Sequence, residues 1–393
     1  MKLLALIGSA FAIYAVVVAC ALAPHSDSTD STTDESGGAD AGAQHSSLNS
    51  PSMSPALREA IKPRPGHVSL EGLPYRCAGM QIQRVDWMDK YKKSVDELAS
   101  VGADTVKFVL DARMENGKSS RIYLDLRMTP SAEALSDLIQ HAKKKNLRVI
   151  LMPIVLLDAP IGGEWRGTIH PEFWDEWWDS YRQILAFYSW IAEANHVDVL
   201  VIGSELVSTQ NDVEQWTKTI NQVRGTFHGR LTYSSNWDAY TSVPFWDQLD
   251  MIGMNSYWKM TDDEKRGDEV KLEDIKQHWA AIQKDLLPWI KKTGKPLLFL
   301  EIGWFSQRNT AFEPWDYTKP VAEEPIDLDL QARLYEGFFQ SWYGQPLLGG
   351  FSIWEWTPGD GGPTDSGYTP ENKPAEKVMR EWFAKKPWEV KLN

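Results

Sequence analysis

Lys295–Trp304 reads KPLLFLEIGW. Five apolar residues in a row, Pro296 to Leu300, run straight into Glu301. So short a run, opened by Gly294 and Pro296, has the form of a strand buried on both faces in a parallel sheet. A core is a costly place for a carboxylate, because burying one takes several kcal/mol unless a partner compensates. The C-terminal end of a strand in a parallel barrel is a different place, since chemistry collects there. Val197–Leu206, VDVLVIGSEL, has the same form and ends in Gly203-Ser204-Glu205. Between the two carboxylates there is room for about three βα units of roughly 30 residues each.

Outward from these stretches, strand and helix patterns alternate from about residue 75 onward. Strands are expected at Arg76–Gln83, Asp104–Leu110, Leu147–Leu156, Val197–Gly203, Gly229–Asn236, Leu249–Asn255, Pro296–Glu301 and Leu348–Trp354. Helices are expected at Lys90–Val101, closed by Gly102, and from Pro130 and Ser131 to about Lys145, with Ser131 as the cap. Further helices are expected at Pro171–Asn195, Asp212–Thr226, Leu272–Lys292, Asp327–Gly344 and Pro374–Lys385, with none convincing between the fifth and sixth strands. In Pro171–Asn195, Trp174, Trp177, Trp178, Tyr181 and Leu185 recur at helical spacing, the pattern of packing rather than binding. Eight βα units predict the α/β class: a single (β/α)8 TIM barrel over residues 65–393. No GxGxxG or GxxxxGK[ST] loop follows the first strand, which disfavours a dinucleotide fold.

The N-terminus reads differently. Met1–Cys20 carries one Lys and then an apolar segment from Leu3 to Ala19, the pattern of a secretory signal. It ends Val17-Val18-Ala19-Cys20, which resembles a bacterial lipobox. That resemblance implies cleavage before Cys20 and lipid on its sulfur. The expectation is a lipoprotein-type signal peptide at 1–20 and an exported, membrane-anchored bacterial lipoprotein, periplasmic or at the cell surface. Residues 21–64, with SDSTDSTTDESGGADAG at their heart, cannot bury enough apolar surface to fold and are expected to form a disordered tether. The membrane then serves only as an anchorage through the lipid.

With 393 residues, 42% of them hydrophobic, the chain can bury a large core. A net charge of −13 and the lack of any basic stripe disfavour nucleic acid, and none is expected as a partner. The only other cysteine, Cys77, lies at the start of the first strand and reads as a small buried hydrophobe, not as a disulfide partner for Cys20. The histidines show no HxxxH or HxH spacing, so no metal or other cofactor is expected. A monomer is expected. The 19 Trp fit either an aromatic core or stacking platforms for sugar rings.

The strand ends favour the second use for some of them. Strand two offers Lys107 with Asp111 and Arg113 beyond it, and strand three Asp158. Strand four ends at Glu205, strand five at Asn236-Trp237, and strand six at Asn255-Ser256-Tyr257-Trp258. Strand seven ends Glu301-Ile302-Gly303-Trp304, and strand eight Trp354-Glu355-Trp356. Cleaving a glycosidic bond needs one carboxyl that delivers a proton and another that attacks or activates water, with amides for hydroxyls and indoles for sugar faces. Glu205 and Glu301 are therefore the candidate catalytic pair. The candidate substrate contacts are Lys107, Asp158, Asn236, Trp237, Asn255, Tyr257, Trp304, Trp354 and Trp356. The expected partner is a β-linked polysaccharide or oligosaccharide. Each glutamate alone could instead be a structural ion pair at a barrel rim, and the whole could be a non-catalytic carbohydrate-binding barrel.

The stretches VLVIGSELVS, FLEIGW and FSIWEWTPGDGGPTDSGYTPENKPAEKVM resemble glycoside hydrolase family 113, whose known activities are mainly β-1,4-mannanase. Over roughly residues 70–388 the resemblance implies a retaining glycosidase of the large (β/α)8 clan, with an acid/base after strand four and a nucleophile after strand seven. Carried over by position, Glu205 would be the acid/base and Glu301 the nucleophile. Tyr257 would hold the nucleophile carboxylate, and Trp354 would floor the subsite at the cleaved bond. Asn236, Trp237 and Trp356 would be substrate contacts. The expected reaction is endo cleavage of β-1,4-mannosidic links by double displacement, with the carboxyls about 5–5.5 Å apart. Much of the wider clan has Asn directly before the acid/base, where this chain has Ser204. That departure disfavours cellulase-like families and suits a sugar whose 2-hydroxyl points as in mannose. A β-glucanase or galactanase of the same clan is the alternative.

Overall fold

The computed structural model describes residues 74–262, 269–316 and 321–390. The signal peptide expected at 1–20 and the tether expected at 21–64 lie outside the described residues. Eight strands form one closed, all-parallel barrel in sequential order. They are β1 (Tyr75–Ile82), β2 (Thr105–Met114), β3 (Arg148–Leu157), β4 (Val199–Ser204), β5 (Arg230–Asn236), β6 (Ile252–Asn255), β7 (Leu297–Ile302) and β8 (Leu348–Ile353). The connecting helices are α1 (Met88–Val101), α2 (Ala132–Lys144), α3 (Trp174–Ala194), α4 (Val213–Arg224), α5 (Leu272–Thr293), α6 (Leu328–Trp342) and α7 (Pro374–Phe383). Between β5 and β6 stand only short 3-10 turns at Tyr240–Ser242 and Trp246–Gln248. Their ends are set by local chemistry. The side chains of Ser131, Asp212 and Asp327 cap α2, α4 and α6 by accepting from the backbone N–H of Ala134, Gln215 and Leu330. Gly102 and Gly294 close α1 and α5 in the left-handed conformation.

Two cores result. One fills the barrel with Tyr75, Cys77, Val109, Ile150, Met152, Ile154, Val199, Val201, Met251, Leu298 and Leu300. The other lies between strands and helices. On β7, Leu298 and Leu300 face the interior while Leu297 and Phe299 face the helices, as the pleat dictates, and Ile302 breaks the alternation by facing the helices too. Strict alternation would also send Glu301 outward. The pairing of β7 with β6 shifts register between Met254 and Asn255, and with β8 between Phe299 and Ile302. Such an irregularity re-aims a side chain, and Glu301 looks into the mouth of the barrel. On β4 the register shifts between Val201 and Ser204, and Glu205 follows with a left-handed φ of 53°. Both glutamates leave the sheet at a break in its regularity.

Gly203 makes the second break possible. A Cβ there would lie 2.8 Å from the Trp216 ring, 2.9 Å from Tyr181 Oη and 3.0 Å from the Tyr233 ring, all inside a cluster of edge-on aromatics. Gly203→Ala is therefore expected to cost about 1–3 kcal/mol by overpacking. A thermal melt would read this as a lower Tm, and an unchanged Tm would count against it.

Candidate active site

A cavity of about 720 Å³ opens at the C-terminal ends of the strands. Glu205 and Glu301 both line it, together with Asn236, Trp237, Tyr257 and Trp354. Each carboxylate is 5–7% exposed, so what holds it must come from the protein.

Glu301 has its partners beside and beneath it. Tyr257 Oη donates to its Oε2 at 2.8 Å. Ser256 fixes the strand there, its backbone N–H and hydroxyl both donating to the Glu301 carbonyl, at 2.8 and 2.7 Å. Burial pushes the Glu301 carboxyl above the usual glutamate range. The Lys107 ammonium pulls it back, the Glu205 charge adds to the push, and Arg166 and the Tyr257 hydroxyl oppose it. Tyr257 itself is driven well above the ordinary tyrosine value by burial and by Glu301, so its hydroxyl keeps the proton it donates.

Glu205 is held differently. Asn255 Nδ2 donates to Oε1 at 2.9 Å, and the Arg166 guanidinium pairs with Oε2 at 2.6 Å. The Asn255 amide is oriented by Ser234, whose hydroxyl donates to Oδ1 at 2.7 Å. Arg166 stands in a single 3-10 turn, Arg166–Thr168, in the loop after β3. The Ser204 hydroxyl is buried and finds no protein partner among the described residues.

The sequence expectations divide accordingly. Asn236, Trp237, Tyr257 and Trp354 reach the cavity. Asn255 is fully buried and spends its amide on Glu205, so it orients a carboxylate and does not face a sugar. Lys107 is fully buried beneath the cavity and does not line it. Asp158 lies outside the lining, tied to Arg113 at 2.9 Å and to the Tyr123 hydroxyl. Two tryptophans are corrected outright. Trp304 is 1% exposed, edge-on to Tyr335 of α6 at 5.2 Å. Trp356 is also 1% exposed and directs its indole N–H to Glu97 of α1, at 3.4 Å. Both rings turn outward beneath the helices, whereas Trp354 turns in.

Sequence reasoning missed Arg166, Trp165 and Trp315, and it left Gln81, Glu355 and Asp360 without a role; all line the cavity. The Trp315 ring stacks near Trp237, with centroids 6.4 Å apart and planes 20° apart, which widens that indole surface. Glu355 takes a hydrogen bond from Gln81 at 3.1 Å, and burial raises its carboxyl above the usual range. The signal for Arg166 was a basic residue beside an aromatic one in the glycine-bearing loop GGEWRG after strand three.

The model of glycoside hydrolase family 113 matches residues 78–383. The chain is similar to the solved GH113 β-mannanase from Alicyclobacillus acidocaldarius in complex with ManMIm, at 26% identity and TM-score 0.70, over 80% of this chain and 99% of that one. It is similar in fold to another solved GH113 β-1,4-mannanase complex at 24% identity and TM-score 0.70, over 79% of this chain and 98% of that one. A Faecalibacterium prausnitzii β-glucuronidase shares the fold at 12% identity and TM-score 0.53, over 79% of this chain and 49% of that one. No curated protein matches the chain.

Proposed function

Because the chain belongs to glycoside hydrolase family 113, we propose that it is an endo-β-1,4-mannanase that works by double displacement with retention. The observation that carries the reading is the pair of carboxylates facing one cavity with contrasting partners: a phenol and a buried ammonium for Glu301, an amide and a guanidinium for Glu205. The mannan specificity is supported by the solved relatives, which are β-mannanases.

Glu301 is the nucleophile. Tyr257 holds its Oε2, and the other oxygen attacks the anomeric carbon to form a glycosyl-enzyme. Glu205 is the acid/base: its proton goes to the departing glycosidic oxygen, and it later takes a proton from the water that releases the sugar. In the arrangement described, both Glu205 oxygens accept hydrogen bonds, which is the base form needed for the second step. The first step requires one of these contacts to open, and we assign that role to Arg166, which stands in a loop turn rather than on a strand. Trp354 lies at the floor of the subsite, with Trp237 and Trp315 as a further indole surface for the polymer. As read from the sequence, the enzyme is a monomeric lipoprotein exported and held at the membrane through Cys20.

The test is reducing-sugar release by the detergent-solubilised full chain from linear mannan, glucomannan, galactomannan, cellulose, xylan and galactan. Activity is expected on the mannans, with the β-anomer of the product appearing first by NMR. Release from cellulose or galactan alone would overturn the sugar assignment, and the α-anomer would overturn the mechanism.

A further inference from the structure

Lys107 is the third residue of β2 and is fully buried. An ammonium inside a barrel is costly unless something there uses its charge. Its side chain exists at this depth because its partner across the β1–β2 ladder is a glycine. Lys107 pairs with Gly79, where a Cβ would lie 2.8 Å from Lys107 Cε and 3.4 Å from Nζ. Nζ donates to the carbonyl of Leu300, the residue before Glu301, and stands 5.0 Å from the centre of the Trp354 ring. It therefore touches the strand that carries one carboxylate and the underside of the cavity floor, and it has no place in the cavity lining.

The charged and titratable groups around it are Cys77 from β1, Glu205 after β4, Glu301 on β7 and Glu355 after β8. Burial pushes the Cys77 thiol up to about 12, so it stays neutral. Burial also pulls Lys107 down, and the carboxylates, Glu301 foremost, hold it up. Glu301 in turn feels two cations, Lys107 and Arg166. Arg166 is already paired with Glu205. That leaves Lys107 as the cation belonging to Glu301.

We infer that Lys107 is a positioning residue: it fixes the end of β7 through the Leu300 carbonyl and supplies the buried positive charge that keeps Glu301 ionised for attack. This rests on the reading of Glu301 as nucleophile. The sign follows from the neighbours. Glu301 already sits above the ordinary glutamate range through burial, and Lys107 opposes that rise. Removing the ammonium lets Glu301 rise further. Activity that needs the carboxylate, present above its pKa and lost as pH falls through it, then fades at a higher pH.

The experiment is the pH dependence of kcat/KM for the full chain on a dinitrophenyl β-manno-oligosaccharide. That leaving group needs no proton, so the acidic limb reports Glu301 alone. In Lys107→Met the limb is expected to move up by at least about one pH unit, while KM stays within about threefold because no sugar contact is lost. Gly79→Ala pushes the flexible end of Lys107 aside while keeping both Lys107 and Glu301 in the chain, so it should move the limb in the same direction by less. Gly79→Ala also decides the matter if Lys107→Met fails to fold. An unmoved limb in a folded Lys107→Met, or in Gly79→Ala when that variant stands alone, would overturn the inference, as would a rise in KM with the limb in place. Full activity in Glu301→Gln would instead overturn the nucleophile reading beneath it.

Discussion

Glu301→Gln should lower kcat by at least about 10⁴-fold, on mannan and on dinitrophenyl substrates alike. Gln has the shape of Glu and can still accept from the Tyr257 hydroxyl, which donates to Oε2 at 2.8 Å in the wild type. Its amide has no charge and is a poor nucleophile, so no glycosyl-enzyme forms however good the leaving group. Mannan binding should persist, because the indole faces of Trp237, Trp315 and Trp354 are untouched. Affinity electrophoresis in mannan-containing gels, run beside the kinetic assay, separates the two properties. Residual turnover within tenfold of wild type would mean that Glu301 is a rim ion pair beside Lys107 and that the chemistry lies elsewhere. A variant that binds mannan and does not cleave it would also dispose of the non-catalytic carbohydrate-binding reading, since the wild type would then differ from a binding barrel by one oxygen-for-nitrogen change.

The barrel was legible because parallel strands buried on both faces leave a plain trace, short apolar runs that end at a polar or charged residue. KPLLFLEIGW and VDVLVIGSEL carry it, and their glutamates fall at strand ends in the structure. The direction of a side chain beyond the last regular residue was not legible. Trp304, Trp354 and Trp356 look alike in sequence, each following or closing an apolar strand. Only Trp354 reaches the cavity, while Trp304 and Trp356 pack under the helices, and all three lie just past the ends of β7 and β8 where the sheet's regular alternation no longer fixes a side chain's face. The two strand ends close on each other at Gly303, where a Cβ would sit 2.0 Å from the Trp354 carbonyl oxygen. Asn255 was picked out as a polar strand end, and its role differs because Glu205 arrives from β4 to take its amide. Arg166 left only a weak trace, a basic residue beside an aromatic one, for another reason. It sits in a loop with no periodicity, and its ion pair joins residues far apart in the chain.

Removing the other carboxyl should give a different signature. Glu205→Ala is expected to lower kcat/KM on mannan by about 10²–10⁴-fold, the usual worth of a positioned general acid and base. On a dinitrophenyl substrate the first step needs no proton, so the glycosyl-enzyme should still form on Glu301 and then persist, because no base remains to activate water. Mass spectrometry of the quenched reaction would show the intact protein heavier by one glycosyl unit. The structure adds a further expectation. The truncation leaves the Arg166 guanidinium without the carboxylate it holds at 2.6 Å and the Asn255 amide without its acceptor at 2.9 Å, both beside the cavity. A small anion such as azide would find a cation and a hydrogen-bond donor waiting there. Azide should therefore restore turnover and give the β-glycosyl azide, the anomer that two inversions require. If Glu205 were only a structural partner for Arg166, the variant would lose stability, fall equally on good and poor leaving groups, and ignore azide. An α-glycosyl azide would move the nucleophile away from Glu301 and make Glu205 its candidate replacement.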